Sequence, residues 1–533
     1  MFALAPRSLA ARQSVQLQRW RTLTPLLYDW LASSNRTWPS LTCRWGKPAL
    51  AFNASAAGGT RSRQRLYWSE QTDGSVPNTL IAANVDVTLP RCASAEAVVR
   101  AMSDSGGAAT FRKGKTVYHP GEVNKIREVN GAPAELVITA SDAPEVYVWN
   151  LGTQSDRTGD ARKDELSQPD CLLTGHSDDA SFALATAAKA PAVASGGKDK
   201  DACVCLWNLR DAEGNLLDAS GAAEAAATAS AGRTSLNSGG LGGLSATTTS
   251  PSRLACRVRF VGHSKTVEDV TFHPSSEEQL CSVGDDSCIC FWDVRTGTAP
   301  VIKVRACCPG RRWLPCGLTP PCTTVSTART PQLEGAHGTE DIHCCAWAIH
   351  DEALVVTGSA DSTVRLFDRR RAGSGAKGAT AALMHTFQGH TDAVNVVQWC
   401  PDRGGVLASA SADGMVNVWD ATRIGAPGAA GGSDPPLELL FQHAGHAGAP
   451  VVDFHWSPAV PWTCVSVSDN PTGGGTIQVW RMSDLLHRPE ADVLEELEKH
   501  RESILAARAA GAPAAGSAGG DEEDMDEDDD AEE

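Results

Sequence analysis

Histidine, a hydroxyl residue and aspartate recur along this chain in a combination that a hydrolytic enzyme would use once. His263 is followed by Asp286 and Trp292, His337 by Asp361 and Phe367, and His390 by Asp413 and Trp419. A histidine poised between a carboxylate and a serine is the set that activates a hydroxyl nucleophile. A catalytic set occurs once, whereas this one repeats, and repetition points to a structural use. The turn aspartate and a strand hydroxyl are expected to hydrogen-bond the histidine and, where present, the indole N–H, so that buried polar groups are satisfied unit by unit. No unique nucleophile, phosphate loop or metal cluster stands apart from the repeats, so no catalytic residue, metal ligand or cofactor is expected.

Around these histidines, six copies of one unit are visible. They run from His119 to Trp149, His176 to Trp207, His263 to Trp292, His337 to Phe367, His390 to Trp419 and His446 to Trp480, with histidine-to-aromatic spacings of 29 to 34 residues. Each holds alternating apolar strands and a turn that often reads Ser-x-Asp, while the offsets between units vary. A constant unit with variable joints is the pattern of four-stranded propeller blades. RQRLYWSEQT (Arg63 to Thr72) and NTLIAANVDV (Asn78 to Val87) supply a seventh blade without the signature, and WPSLTCRW (Trp38 to Trp45) is expected to be the outer strand that closes the ring. The expected fold is therefore all-β, a seven-bladed propeller over residues 36–488.

Two helices are expected to flank it. Leu23, Leu26, Leu27, Trp30 and Leu31 follow i, i+3, i+4, i+7, i+8 spacing, which predicts an amphipathic N-terminal helix over residues 20–35. Val493, Leu497, Ile504 and Leu505 predict a C-terminal helix over 489–510. Residues 1–19 are expected to be a disordered leader. The Ala/Gly/Ser/Thr-rich stretch 211–254 and the stretch 306–333 are read as disordered insertions. The four cysteines of the second, Cys307, Cys308, Cys316 and Cys322, lack a paired C-x-x-C arrangement, so zinc is not expected there.

The chain has 17 cysteines in all, an odd number, and those alternating on strands, such as Cys203 with Cys205 and Cys288 with Cys290, are read as reduced, small core residues. Its net charge of -17 is concentrated at the end, where DEEDMDEDDDAEE carries 11 acidic residues in 13. So dense a run repels itself, and residues 511–533 are read as a disordered acidic tail suited to cationic partners. No basic stripe with interleaved aromatics argues for direct nucleic-acid binding, and no apolar run reaches the roughly 18 residues of a membrane span.

Several of these stretches carry a family resemblance. TPLLYDWLASSNRTWPSLTCRW, HPGEVNKIRE, GHSKTVEDVTFHP, GSADSTVRLFDRR and VVDFHWSPAVPWTCVSVSD resemble the histone-binding WD-repeat family, the retinoblastoma-binding or multicopy-suppressor-of-Ira group. RLYWSEQTDGSVPNTLIAAN, SVGDDSCICFWDVRTGT, FQHAGH and TGGGTIQVWRMSDLLHRPE are similar to its plant branch, the FVE type. The resemblance implies a nuclear, non-enzymatic adaptor that brings core histones three and four to chromatin assembly, histone deacetylase and Polycomb-type methyltransferase complexes, in chromatin organisation and transcriptional repression.

It also implies two histone surfaces. One is a groove between the opening helix (Leu23, Leu26, Leu27, Trp30, Leu31) and the loop Ala421 to Gln442, through Asp434, Pro435, Pro436, Glu438 and Leu439, gripping a helix of histone four. This loop is mostly Gly and Ala where animal members are far more acidic. The other is the channel mouth, where Glu122, Asn124, Asp179, Phe182, Glu268, Asp285 and Asp341 converge as a negative rim suited to a Lys- or Arg-rich tail, that of histone three by resemblance. Blade six departs here, with Ala393 and Asn395. A separate reading is a cullin-four ligase substrate receptor, since Trp292, Asp293 and Arg295 resemble the WD-x-R box that contacts the ligase adaptor.

Overall fold

The computed structural model describes residues 27–52, 61–88, 111–159, 165–178, 182–198, 202–212, 251–305, 336–372, 382–425, 435–470, 473–486 and 490–499, together with Trp20, Thr24, Leu216, Leu217 and Gln332–Glu334. Seven sheets, each with four antiparallel strands, form the blades of a propeller. Their innermost strands are Cys43–Phe52, Lys125–Glu128, Ala183–Thr186, Val267–His273, Ile342–Trp347, Val394–Trp399 and Val451–Trp456 for blades 1 to 7. Each inner strand touches the next, and the seventh touches the first, so the ring is closed.

Inner strands are joined by polar side chains as well as by packing. Asn395 Nδ2 and Gln398 Nε2 of blade 6 donate to the Val451 and Phe454 carbonyls of blade 7, at 2.9 and 2.8 Å. Asp269 of blade 4 accepts from the Cys345 amide of blade 5 at 3.0 Å. At the seam of the ring, Asp453 Oδ2 of blade 7 accepts from Thr42 Oγ1 and the Cys43 amide at 2.8 and 3.1 Å, and Thr42 Oγ1 accepts from the Ile126 amide of blade 2 at 3.1 Å.

The clasp lies earlier in the chain than the sequence suggests. Tyr28–Arg36 is a β-strand, antiparallel to Gly475–Met482, and is the outer strand of blade 7. The expected helix over 20–35 is thus corrected in its second half: Trp20, Thr24 and Leu27 are helical, and the strand starts at Tyr28. Trp38–Ser40 is a loop, and Cys43 opens the inner strand of blade 1 rather than closing the ring. The reason is tertiary. Blade 7 has only three strands of its own, an unpaired outer edge is costly, and Tyr28–Arg36 is the nearest segment that can cover it. Trp30 then packs with Trp45, Trp68, Ile477 and Val479 in the core between blades 7 and 1.

Both insertions are also trimmed at their far ends. Ser252–Ala255 pairs in parallel with Cys171–Thr174 as a fifth strand of blade 2, and Gln332–Glu334 pairs in parallel with Ile302–Arg305 of blade 4. Exposed outer edges accept these short strands where composition alone suggested none. The leader 1–19, the acidic tail and the cysteines of 306–331 lie outside the described residues. Residues Asp484–Glu533 form a separate unit in which Glu490–Lys499 is an α-helix.

Candidate functional site

The repeated histidines are built as satisfied networks. In blade 4 the Trp292 indole N–H and His263 Nε2 both meet Ser282 Oγ at 2.8 Å, and His263 Nδ1 meets Asp286 Oδ1 at 2.9 Å. Blade 6 repeats this with His390, Ser409, Asp413 and Trp419. Blade 5 uses His337, Thr357 and Asp361, with Phe367 in place of the indole. Because each serine accepts an indole N–H, its own proton goes to Nε2, and Nδ1–H faces the carboxylate. These serines are fully buried, so no substrate reaches them. Burial alone would raise Asp361, but His337 and Thr363 outweigh it and hold the carboxyl down at about 2.

Two of the histidines are deeply neutral. Burial takes His119 down to about 4 against the Gly121 carbonyl and Asp142, and His446 to about 3. The unfolded chain takes up protons near 6.5 while these folded rings do not, so their stabilising effect is lost as pH falls below 6.5 toward those values. We predict that urea-unfolding stability declines between pH 6.5 and 5 by about 1.4 kcal/mol per pH unit for each histidine. H446Q should reduce that slope; an unchanged slope would refute a neutral buried ring.

Blade 3 departs from the pattern. Ser195, at the register of Ser282, is fully buried and its Oγ has no hydrogen-bond partner among the described residues, while the Trp207 indole donates instead to the Thr174 carbonyl at 3.1 Å. His176 Nδ1 faces the thiols of Cys203 and Cys205 at 3.8 and 3.9 Å. No metal ligand was expected here, yet the donor atoms of these three residues lie within 4.8 Å of one another, close enough to share an ion. Reading Cys203 and Cys205 as core fillers overlooked the histidine that folds back upon them.

At the channel mouth, three of the predicted carboxylates come together. Burial and the nearby Asp285 carboxylate raise Glu268 to about 7, against Lys125 and Lys198. Asp285 is itself raised by burial and by Asp341. Asp341 lies 3.9 Å from Lys265 Nζ. Phe182 is beside them in blade 3, with the Lys198 ammonium over its ring at 5.1 Å. Glu122 stands apart on blade 2, its amide hydrogen-bonded to Asp142. Asn124 is buried and unavailable as a surface contact, and Asp179 lies outside the described residues. Lys125, Lys198 and Lys265, interleaved with the acids, were missed; only the folded ring brings them alongside.

The predicted groove is only partly assembled. Trp30 (7% exposed) and Leu31 (0%) are strand residues of the core and cannot line it, because the two faces of the strand that covers blade 7 are both buried at these positions. Leu23, Leu26 and Asp434 lie outside the described residues. Leu27 is half-buried, and its carbonyl accepts the Ser483 amide at 2.8 Å. Glu438 is buried with its carboxylate 2.7 Å from His385 Nε2, so it braces blades 5 and 6 rather than facing solvent. Pro435 is exposed, Pro436 and Leu439 are half-buried, and Leu437, overlooked in the sequence, is an exposed apolar side chain on the same loop.

What joins the opening segment to blade 6 is a buried polar chain. The Trp20 indole donates to Tyr28 Oη at 2.8 Å, Tyr28 donates to His443 Nδ1 at 2.7 Å, and His443 Nε2–H faces Gln478 Oε1 at 3.0 Å. His443 stacks on Trp480 with centroids 4.4 Å apart. Every hydroxyl and ring nitrogen in this chain has a direction, so the helix end is fixed against the strand into which the Ala421–Gln442 loop runs.

In blade 4, Arg295 follows Trp292 and Asp293 in a 3-10 turn. Its guanidinium makes two bonds to the Asp293 carboxylate, at 2.9 and 2.6 Å, and the side chain remains 60% exposed. Arg370 repeats the geometry with Asp368 in blade 5, at 3.0 Å for each bond.

Comparisons with known proteins agree with this architecture. Residues 16–89 match the family described as histone-binding protein RBBP4 or a subunit of the CAF1 complex, and residues 254–293, 329–368 and 381–420 match the WD domain, G-beta repeat. The chain is 43% identical to WD-40 repeat-containing protein MSI4 of Arabidopsis thaliana over 493 residues, covering 91% of this chain and 85% of the relative. It is 25% identical to histone acetyltransferase type B subunit 2 of Debaryomyces hansenii over 488 residues, covering 91% and 94%.

Proposed function

The chain belongs to the family of histone-binding WD-repeat proteins that includes MSI4, and from that premise we propose that it is a nuclear, non-enzymatic adaptor that carries histones three and four within chromatin assembly, deacetylase or Polycomb-type complexes. The observation that carries this reading is the rim of Glu268, Asp285 and Asp341. Burial and mutual repulsion raise Glu268 and Asp285 in spite of Lys125, Lys198 and Lys265, so the rim acids are only partly neutralised within the chain and suit further cations brought by a partner. The partner's chemistry follows: an extended basic peptide, as in the tail of histone three. A second surface lies along Leu27 and the Pro435–Leu439 segment, where apolar side chains suit one face of a histone-four helix.

Pull-down of purified histone-three/histone-four dimers at moderate salt tests both surfaces. The unmodified chain should retain the dimers, and L27E/L437E should weaken retention without altering binding of an isolated histone-three tail peptide. Failure of the unmodified chain to bind either would sink the proposal. The paired, exposed Arg295 and Arg370 turns favour a second role as substrate receptor of a cullin-four ligase. There R295A should abolish binding of the damaged-DNA-binding adaptor and leave histone binding intact; equal adaptor binding by R295A would dismiss it.

A further inference from the structure

The donor set in blade 3 has the dimensions of a metal site. Zinc with Zn–S of about 2.3 Å and Zn–N of about 2.0 Å in a tetrahedron sets its donors about 3.8 Å apart for two sulfurs and about 3.6 Å for sulfur and nitrogen. Cys203 Sγ and Cys205 Sγ are 3.8 Å apart, and His176 Nδ1 is 3.8 and 3.9 Å from them. Thiol–imidazole hydrogen bonds occupy the same range, and a tetrahedral ion would engage all three donors at once.

Three further observations point the same way. Cys256 lies against Cys205, and both thiols crowd Gly175, where an added Cβ would come within 2.8 Å of Cys256 Sγ and 3.2 Å of Cys205 Sγ. Arg259 Nε donates to Cys203 Sγ at 3.0 Å, the outer contact that steadies a sulfur carrying negative charge. Ser195, which in a regular blade would join the histidine to the indole, is buried and unused. The usual histidine–serine–tryptophan network has thus been dismantled in one blade, and a thiol-rich set occupies the region.

We propose that His176, Cys203 and Cys205 bind one zinc ion, with Cys256 moving in from beside Cys205 as the fourth ligand, and that the ion ties together the start, third strand and fourth-strand approach of blade 3. The long insertion leaves from Cys203–Asn208 and returns at Val258–Val261, so the blade's outer half is closed by a long loop. A clamp across such a loop recovers part of its closure entropy.

The full chain, purified under reducing conditions and desalted, should contain about one zinc per molecule by plasma mass spectrometry. C203S/C205S should fall to background, and C256S should lose zinc to a competing chelator at least about tenfold more readily. Serine replacement of Cys307, Cys308, Cys316 and Cys322 together should leave the content unchanged. Should the double variant fold poorly, cobalt(II) exchanged into the unmodified chain decides: thiolate-to-cobalt charge transfer with the intense visible bands of a tetrahedral site supports the assignment. Absence of metal from the unmodified chain, retention by C203S/C205S, an octahedral cobalt spectrum, or a Cys205–Cys256 disulfide in the reduced preparation would each overturn it.

Discussion

D453A should destabilise the propeller by about 3–5 kcal/mol, the loss expected when one member of a buried charge cluster is removed and the others stay. Asp453 is fully buried, and through Oδ2 it links blade 7 to Thr42 and Cys43 of blade 1. Burial would raise it, yet Arg44, Lys125 and Arg127 prevail and hold it below the usual carboxylate range. Arg127 is brought down to about 10 by its burial and by Arg44, with Asp453 among the charges resisting that fall. Alanine leaves the Cys43 amide and Thr42 hydroxyl without their acceptor and the cations without a counter-charge. D453N, which keeps an acceptor but no charge, should fall between, and T42V, which removes the donor to Asp453 and the acceptor of the Ile126 amide, should cost about 2 kcal/mol. Thermal and urea unfolding of the three variants test the order. A D453A loss within about 1 kcal/mol would mean that the seam rests on apolar packing alone. As a depressed carboxylate, Asp453 stabilises above its unfolded value of 3.8 and ceases to as pH falls through its folded value.

The second large effect concerns the rim. E268Q/D285N/D341N should weaken binding of a basic histone-three tail peptide by about 100-fold, from three charge-assisted contacts of roughly 1 kcal/mol each. Fluorescence anisotropy at fixed salt measures it, with the exposed Asp351→Asn of blade 5 as the control expected to change little. The pH dependence carries a sign. A bound cation favours ionised Glu268, so binding releases a proton, and affinity should strengthen as pH rises through about 7 and then level off. E268Q should flatten that rise. Its stability moves the other way: a carboxyl raised above its unfolded value of 4.5 stabilises at low pH and loses that effect as pH climbs to about 7, so E268Q should fold at least as well as the unmodified chain at neutral pH. Equal peptide affinity in the triple variant would remove the rim from the proposed mechanism.

How much of this was legible in the sequence depends on the range of the forces involved. The blades were, because each histidine, hydroxyl and aromatic lies within one unit of 29 to 34 residues and the hydrogen bonds among them are local. Glu268 and Asp341 were placed by their position after a histidine and Asp285 by its turn pair with Asp286, and these three do meet. The clasp was misplaced because Leu23 to Leu31 satisfies a helical period, while the force that makes Tyr28–Arg36 a strand is the open edge of a blade at the far end of the chain. Glu438 read as a groove residue because its partner, His385, sits in another blade. The thiol cluster was hidden for the same reason: 27 residues separate His176 from Cys203, and no consecutive motif announces it.

The strand Tyr28–Arg36 also says something about how the molecule comes into being. Tyr28 and His443 stand 415 positions apart, so nearly the whole chain must be synthesised before the first strand can meet its neighbours. Until then a nascent chain carries an unpaired edge, flanked by Tyr28, Trp30 and Leu31, that invites pairing with other polypeptides. Contacts of such sequence separation form slowly. The ring is sealed last at the place where it was begun, and in the interval the newborn protein depends on whatever shields that edge.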